Sequence, residues 1–212
     1  MTTNTGRDDV EAKPPPALSK SPMTIGQAKE VYRDFGPALQ EFYRNVYRAL
    51  IADKPRVELP NSNYLHALQL TSLMMRNTHH DFEMLSGNTT GSFLEMLKTE
   101  FAGMLSRLAE AKRKARIIIL NATSPSPLLE QLESQFPGTL EVHNGVASDP
   151  DRIGHFIVAD NMVRLEKPHK PLTDLTDANT IEARVIFNSE LDAGAYRRRF
   201  DSYLNLVTPG QP

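Results

Sequence analysis

A histidine and an aspartate flank an apolar, β-branched run in the stretch from Ile153 to Asn161, which reads IGHFIVADN. A run of this length and composition predicts a buried central strand whose polar ends reach a sheet edge or a cleft. Imidazole and carboxylate groups are common participants in acid–base and nucleophilic chemistry. His155 and Asp160 are therefore the first candidates for a chemical centre.

The spacing of this pair also matches the HxxxxD pattern of glycerolipid acyltransferases, in which the aspartate activates a base histidine. Residues five positions apart on a strand point to opposite faces of the sheet, so the two side chains cannot easily act together. The further glycine-rich and proline-rich segments of those enzymes are not found in this sequence. We favour the interpretation that His155 and Asp160 are polar strand ends with local hydrogen-bond partners.

Two polar turns are weaker candidates for ligand binding. His79-His80-Asp81 contains metal-ligating side chains, but adjacent histidines on a helix or turn diverge by about 100° and rarely bind one ion. The segment from Asn88 to Ser92 precedes a helix and could hold an anion through its backbone N–H groups. It lacks the glycine pattern and the lysine of a phosphate-binding loop. We therefore expect a surface turn and a helix-capping turn, and no metal site.

Two clusters of basic residues are candidates for phosphate contact. Cations near a helix C-terminus are favoured by about 0.3–1 kcal/mol each through the helix dipole, which accounts for the first cluster without a ligand. Contact with nucleic acid would require both clusters on one face, and no interleaved aromatic residues are present to stack bases. Nucleic-acid binding is therefore an alternative that we do not favour. The first cluster consists of Arg107, Lys112, Arg113, Lys114 and Arg116, and the second of Arg197, Arg198 and Arg199.

The composition is that of an ordinary globular protein. Its 212 residues, 40% hydrophobic and 24% charged, allow one substantial core with a small accessory element. The net charge of −2 gives no general attraction to nucleic acid or to an anionic membrane. The absence of cysteine excludes disulfides, thiolate nucleophiles and cysteine metal sites. With no signal-peptide core and no run of about 20 apolar residues, we expect a cytoplasmic protein without a membrane segment or a cofactor.

The N-terminal part divides into a tail and a helical element. Residues 1–22 are rich in Thr, Asp, Lys and Pro and predict a disordered tail. Within residues 23–56, apolar residues follow helical spacing from Thr24 to Asp53, which predicts two helices or one helix kinked at Gly36-Pro37. An aromatic stripe on this element either packs on the main core or forms a dimer or partner surface. The stripe consists of Tyr32, Phe35, Phe42, Tyr43 and Tyr47.

Strands alternate with helices over residues 57–207, a pattern that predicts an α/β domain with a mixed sheet flanked by helices, to which the N-terminal element is an extension. We interpret Pro55 to Pro60 as a linker, Lys167 to Asn179 as a flexible excursion and residues 208–212 as a frayed end. Met162 to Glu166 either continues the central strand or forms a hairpin with it. The other predicted strands are 82–87, 115–121, 140–143 and 182–187.

The predicted helices of this domain begin near Tyr64, Phe93, Ser126 and Asn188. The second is one long helix that ends in Lys112-Arg113-Lys114. The last is capped by Asn188-Ser189. Its inward-facing residues are predicted to be Ala195, Tyr196, Phe200, Tyr203 and Leu204.

Three motifs in this order resemble one half of a phospholipase D-type fold. They are FEMLSGNTTGSF before a long helix, AKRKARIIIL, and HFIVADNMVRLE followed by ARVIFNSELDAGAYRRRFDSYLNL. The last is the most specific, because noncatalytic phospholipase D-like proteins of bacteria combine an apolar strand ending in Ala-Asp or Asp-Asp with an Arg-containing strand, a strand ending in Phe-Asn and a helix ending in Arg-x-Phe-Asp. The resemblance covers about two thirds of the chain, from about Tyr64 to Leu206.

Active members of that family carry HxKxxxxD, in which the histidine attacks phosphorus, the lysine neutralises phosphate oxygens and the aspartate orients a histidine. If His155 is the family histidine, Ile157 takes the lysine position and Met162 the aspartate position. If Asp160 is the family aspartate, Ile153 takes the histidine position and His155 the lysine position. Neither register gives an intact set, so the resemblance implies a degenerate module that is not an enzyme.

The resemblance thus implies a noncatalytic binding or scaffolding module in which His155, Asp160 and Asn188 are vestigial. Single-half members pair across a two-fold axis, so a homodimer is expected, with the N-terminal helices adding to its interface or recruiting a protein partner. A weak or altered phosphodiesterase that uses His155 is the alternative, and it needs Arg164 or Arg184 in place of the lysine. Nucleic-acid binding through the basic cluster Arg107–Arg116 is the other.

Overall fold

A computed structural model of the chain describes residues 25–48, 55–61, 64–86, 92–120, 126–147, 152–168 and 182–207. Within these ranges the helices are α1 (Ile25–Val46), α2 (Tyr64–Arg76), α3 (Ser92–Met96), α4 (Lys98–Glu110), α5 (Pro127–Gln135) and α6 (Glu190–Val207). The strands are β1 (Val57–Asn61), β2 (Phe82–Ser86), β3 (Ala115–Leu120), β4 (Leu140–Gly145), β5 (His155–Ala159), β6 (Met162–Glu166) and β7 (Ala183–Phe187). Helices and strands alternate through the domain, as the sequence predicts.

The seven strands form one mixed sheet in the order β1-β7-β6-β5-β2-β3-β4. Neighbouring strands from β2 to β4 are parallel, and the other neighbours are antiparallel. The predicted α/β class with a mixed sheet is confirmed. β5 is the middle strand, as its apolar sequence predicts, and β6 returns beside it as a hairpin partner.

The sheet carries a separate apolar cluster on each face because successive side chains of a strand point to opposite sides. On β5, Ile157 and Ala159 belong to the cluster beneath α2 and α4, whereas Phe156 and Val158 belong to the cluster beneath α6. α6 contributes the buried Ala193 and Phe200, which are seven residues apart and share one helix face. The predicted inward position of Ala195 is wrong, since this residue is exposed.

Two elements differ from the sequence prediction. The expected linker at Pro55 to Pro60 instead contains β1, which pairs antiparallel with β7 at the edge of the sheet. Pro60 is accepted there because an edge strand can lack one ladder donor. The expected long helix is divided into α3 and α4 at Leu97, and α4 ends at Glu110. Lys112-Arg113-Lys114 therefore lies beyond the helix, with Lys112 at a positive φ of 55°.

The N-terminal element is one helix, α1, which continues through Pro37 and packs along α2. Two residues of the aromatic stripe join the main core: Tyr32 is buried, and the ring of Tyr47 contacts that of Phe187 edge-on at a centroid distance of 6.0 Å. Phe42 is 60% exposed. The side chains of Phe35 and Tyr43 lie outside what the structure describes.

Several predicted features fall outside the described residues. They are the tail 1–22, the frayed end 208–212, most of the excursion after Lys167 and the turn residues 88–91. Among the helices that the structure describes, none combines the length and the apolar character needed to cross a membrane.

Candidate functional site

The β5–β6 hairpin separates His155 from Asp160, because they lie at opposite ends of β5. Asp160 occupies the turn with a positive φ of 51°. Its Oδ2 accepts the backbone N–H of His79 at 2.8 Å, and its Oδ1 accepts those of His80 and Asp81 at 2.9 Å each. Asp160 therefore anchors the turn at 79–81 and does not act with His155.

The His79-His80-Asp81 turn has the surface character that the sequence predicts. Both histidine side chains are exposed, and the backbone of the turn holds the Asp160 carboxylate. No cluster of three or more metal-ligating side chains occurs in the described part of the chain. The turn and the hairpin aspartate, two separate motifs in the sequence, are thus partners in one structural contact.

Asn188 lies at the same end of the hairpin as Asp160. It follows β7 with a positive φ of 57°, and the next backbone N–H, of Ser189, donates to the carbonyl oxygen of Asn161 at 2.9 Å. The Ser189 hydroxyl accepts the backbone N–H of Asp192 at 3.2 Å, which caps α6 as expected. The three residues identified as vestigial are therefore not gathered in one site, because His155 lies at the other end of β5 from Asp160 and Asn188.

The His155 end of the hairpin contains a row of buried polar side chains, which we call the polar row: Asn61, His155, Arg164 and Glu166. Strand register defines it, since His155 is paired with Glu166, Glu166 with Ala183, and Ala183 with Asn61. Arg164 lies two residues before Glu166 on β6, so its side chain is on the same face of the sheet, and it is paired in register with Ile157. Side chains from β1, β5 and β6 thus converge on one face at this edge of the sheet.

Charges within the polar row compensate one another. The guanidinium of Arg164 forms an ion pair and a hydrogen bond with Oε2 of Glu166. Nδ1 of His155 lies 3.5 Å from Oε1 of the same carboxylate. All three side chains are at most 10% exposed, so solvent screens these interactions little. Glu166 is therefore the common anion for both neighbours.

Some polar atoms of the row are left unsatisfied. The Asn61 side chain is fully buried, and neither of its amide atoms has a hydrogen-bond partner among the described residues. The Nε of Arg164 also lacks an acceptor there, while its guanidinium carbon lies 5.7 Å from the centre of the Phe93 ring. Buried polar groups are normally bonded, so the unsatisfied atoms at this edge require partners such as ordered water or a ligand.

The positions that HxKxxxxD chemistry would need are apolar in both registers. Ile157 and Met162, at the lysine and aspartate positions of one register, are buried core residues. Ile153, at the histidine position of the other, packs against the cluster beneath α6. None of the three can attack phosphorus or balance phosphate charge.

Both arginines considered as substitutes for the lysine are paired with glutamates. Arg164 lies on the same face as His155 and is bound by Glu166. Arg184 is paired in register with Leu165, so it points to the opposite face, where its Nη1 lies 3.1 Å from Oε1 of Glu58. Neither guanidinium is an unneutralised cation beside His155.

A groove with a cavity volume of about 630 Å³ opens beside the polar row. His155 and Glu166 form part of its wall, together with Tyr196 of α6. Arg199 lies 6.0 Å from the ring centre of Tyr196 and has no acidic partner in the described ranges. The cationic residues that line the groove are Arg152, Lys167, Arg184 and Arg199, and the acidic ones are Glu166 and Glu182.

Several residues of the two basic clusters have structural partners. Arg107 donates to the carbonyl oxygens of Met75 at 2.6 Å and Thr78 at 3.4 Å, so it serves the C-terminus of α2 and not that of its own helix. Arg197 donates to the carbonyl oxygen of Asp160 at 2.5 Å. Lys114 is paired with Glu141. Lys112, Arg113 and Arg198 are exposed.

Arg116 belongs to a partly buried charge cluster beneath α6. It pairs with Glu83 of β2 and, at 3.0 Å, with Oδ1 of Asp201 of α6, and its guanidinium lies 5.0 Å from the Phe200 ring centre. Burial raises the pKa of Glu83 although Arg116 opposes that change. This arginine fastens α6 to the sheet and is not available to a nucleic acid.

Comparison with known proteins identifies the fold. No protein-family model and no curated protein sequence matches the chain. Its structure resembles that of TrmBL2, described as an archaeal chromatin protein with a novel mode of DNA binding, at 12% identity and a TM-score of 0.55 over 88% of this chain and 65% of TrmBL2. It also resembles Nuc of Salmonella typhimurium, a phospholipase D family member, at 13% identity and a TM-score of 0.54 over 71% of this chain and 95% of Nuc. The chain thus has a phospholipase D-like fold and spans about two thirds of the length of TrmBL2.

Proposed function

We propose that the protein is a noncatalytic phospholipase D-like module that acts by binding and that self-associates. The observation that supports the proposal best is the compensation of charge within the polar row. Glu166 pairs with Arg164 and contacts His155, so the arginine on the same sheet face as His155 is already neutralised and is not available to a phosphodiester. Catalysis of phosphoryl transfer depends mainly on such preorganised positive charge.

The retained groove supports a binding role. Four cationic side chains line it, against two acidic ones, and the ring of Tyr196 provides an apolar contact. Lys167 and Arg184 are already paired with Glu182 and Glu58, which leaves Arg199 as a groove cation that has no acidic partner in the described ranges. A protein segment that carries carboxylates and an apolar side chain has the matching chemistry.

Hydrolysis of bis(4-nitrophenyl) phosphate should not exceed the buffer rate for the wild-type chain. The same result is expected for His155→Ala, because in both proteins Glu166 neutralises Arg164, the cation on the same sheet face as position 155. Release of nitrophenolate, followed by absorbance, measures both rates. Wild-type turnover that is lost in His155→Ala but kept in a matched His143→Ala variant would establish the phosphodiesterase alternative instead.

Self-association should give a mass of two chains in light scattering of the full-length protein. Phe42 is a large apolar side chain exposed on α1, so Phe42→Ser should weaken the dimer if α1 contributes to its interface. Leu191→Ser is the matched control, since Leu191 is 83% exposed on α6. A mass of one chain at every concentration tested would contradict self-association.

Nucleic-acid binding has two supporting observations: the exposed side chains of Lys112, Arg113 and Arg198, and the resemblance of the fold to TrmBL2, which is described as binding DNA. The affinity of such binding depends on the number of phosphates that are neutralised. Because Arg107, Lys114, Arg116 and Arg197 already have protein partners, half of the eight cations of the two clusters are committed to the protein itself. We therefore rank it below the protein-binding role.

A further inference from the structure

A second cavity lies between α1 and α2, away from the polar row and its groove. Its volume is about 250 Å³. From α2 it is lined by Gln69, Ser72, Leu73, Arg76 and Asn77, whose spacing of three and four residues places them on one helix face. From α1 and the residues directly after it come Arg44, Tyr47 and Arg48, which follow the same spacing. Three arginines thus meet at one cavity.

Gln69 is the feature that the core does not explain. Its side chain is 1% exposed, and neither amide atom has a hydrogen-bond partner among the described residues. A buried polar group without a partner destabilises the folded protein, and an apolar residue of the same size would avoid that cost. Gln69 lines the cavity, where a bound molecule could accept from its amide N–H and donate to its amide oxygen.

Two of the three arginines that line the cavity are neutralised by glutamates, and the third is not neutralised by any described residue. Arg44 is paired with Glu41 at 2.6 Å and Arg76 with Glu100 at 3.0 Å. Arg48 is exposed at the mouth of the cavity and forms no ion pair within the described ranges. One guanidinium fork therefore remains for a bound anion, with two more beside it.

The carbonyl oxygens at the C-terminus of α2 would repel an anion if they accepted no hydrogen bonds. They are instead occupied: the Asn77 side-chain amide donates to the carbonyl oxygen of Leu73 at 2.8 Å, and the Thr78 hydroxyl to that of Met74 at 2.7 Å. Arg107 donates to the carbonyl oxygen of Met75 and adds a positive charge at this helix end. The negative end of the α2 dipole is thus compensated before any ligand arrives.

We propose that this cavity binds a phosphate group, either as inorganic phosphate or as part of a small phosphate monoester. A phosphate offers more acceptor oxygens than a carboxylate, which suits three guanidinium groups together with the Gln69 amide. The site joins α1 to the domain, so its occupation holds α1 against α2. It does not depend on the role of the polar row.

Isothermal titration of the full-length chain at constant ionic strength tests this site. Inorganic phosphate and phosphoserine are the two probes, and acetate and chloride are the controls. We expect saturable binding of phosphate, and binding of phosphoserine as well if the natural ligand is an ester. Arg48→Gln should weaken phosphate binding about tenfold or more, because it removes a charge-assisted contact. Arg113→Gln, an equal charge change at an exposed site, should leave it unchanged.

Gln69→Leu separates the binding role of the amide from a structural role. Without phosphate this variant should unfold at a higher temperature than the wild type, because an unpartnered buried amide is replaced by an apolar group of similar size. With phosphate it should show a smaller increase in unfolding temperature than the wild type. Absence of saturable phosphate binding, an equal loss in Arg113→Gln, or full phosphate binding by Gln69→Leu would overturn the proposed site.

Discussion

Replacing Glu166 by glutamine is expected to lower the free energy of unfolding by about 3–5 kcal/mol, the usual cost of removing one partner from a buried ion pair. Glutamine preserves the shape of the side chain but removes the charge that compensates Arg164. Arg164 is 4% exposed and cannot reach water without rearrangement of the sheet. Urea unfolding followed by circular dichroism measures the change.

Two comparison variants show whether the buried charge is the cause. The double substitution Arg164→Met with Glu166→Leu should recover most of the loss, since apolar residues of similar volume often replace a buried ion pair without cost. Glu182→Gln breaks the exposed pair with Lys167 and should cost about 0.5 kcal/mol or less. A Glu166→Gln variant as stable as Glu182→Gln would contradict the charge compensation on which the proposed function rests.

The strands of the fold could largely be predicted because each buried strand is a short apolar run. Ala115 to Leu120 and the His155 to Ala159 stretch are buried almost throughout, so their sequences carry the signal without any tertiary information. The sequence does not predict β1 for a physical reason: it is an edge strand with alternating burial and a proline, and its formation depends on pairing with β7. The division of the helix at Leu97 is likewise not predicted, because no proline or glycine marks it in the sequence.

The polar row was harder to predict because its members come from β1, β5 and β6. One signal was available, since a two-residue turn at Asp160-Asn161 sets the register of the hairpin and pairs His155 with Glu166. The position of Asn61 depends on the crossover that places β1 beside β7, and local sequence does not specify it. The same limit applies to Asp160, whose partners are about 80 positions earlier in the chain.

Asp160→Ala is expected to lower the free energy of unfolding by about 3 kcal/mol or more. It removes three charge-assisted hydrogen bonds from the backbone of the 79–81 turn, each worth about 1.5–3 kcal/mol when shielded and less here, where His79 and His80 are exposed. The wild-type aspartate already places a Cβ at this positive φ of 51°, so the backbone cost of about 1–2 kcal/mol is present in both proteins and adds little to the change. Thermal or urea unfolding measures the total.

Asp160→Gly and Asp160→Asn divide that total into its causes. The glycine variant loses the same three bonds without the backbone cost, so it should be about 1 kcal/mol more stable than the alanine variant. Asparagine keeps one acceptor oxygen but turns an amide N–H₂ towards a backbone donor of the turn, so it should fall between the wild type and alanine. Wild-type stability in Asp160→Asn would show that the negative charge of the Asp160 carboxylate is not needed to hold the turn. The ordering wild type, asparagine, glycine, alanine would establish that this aspartate serves the architecture of the hairpin and not the chemistry of His155.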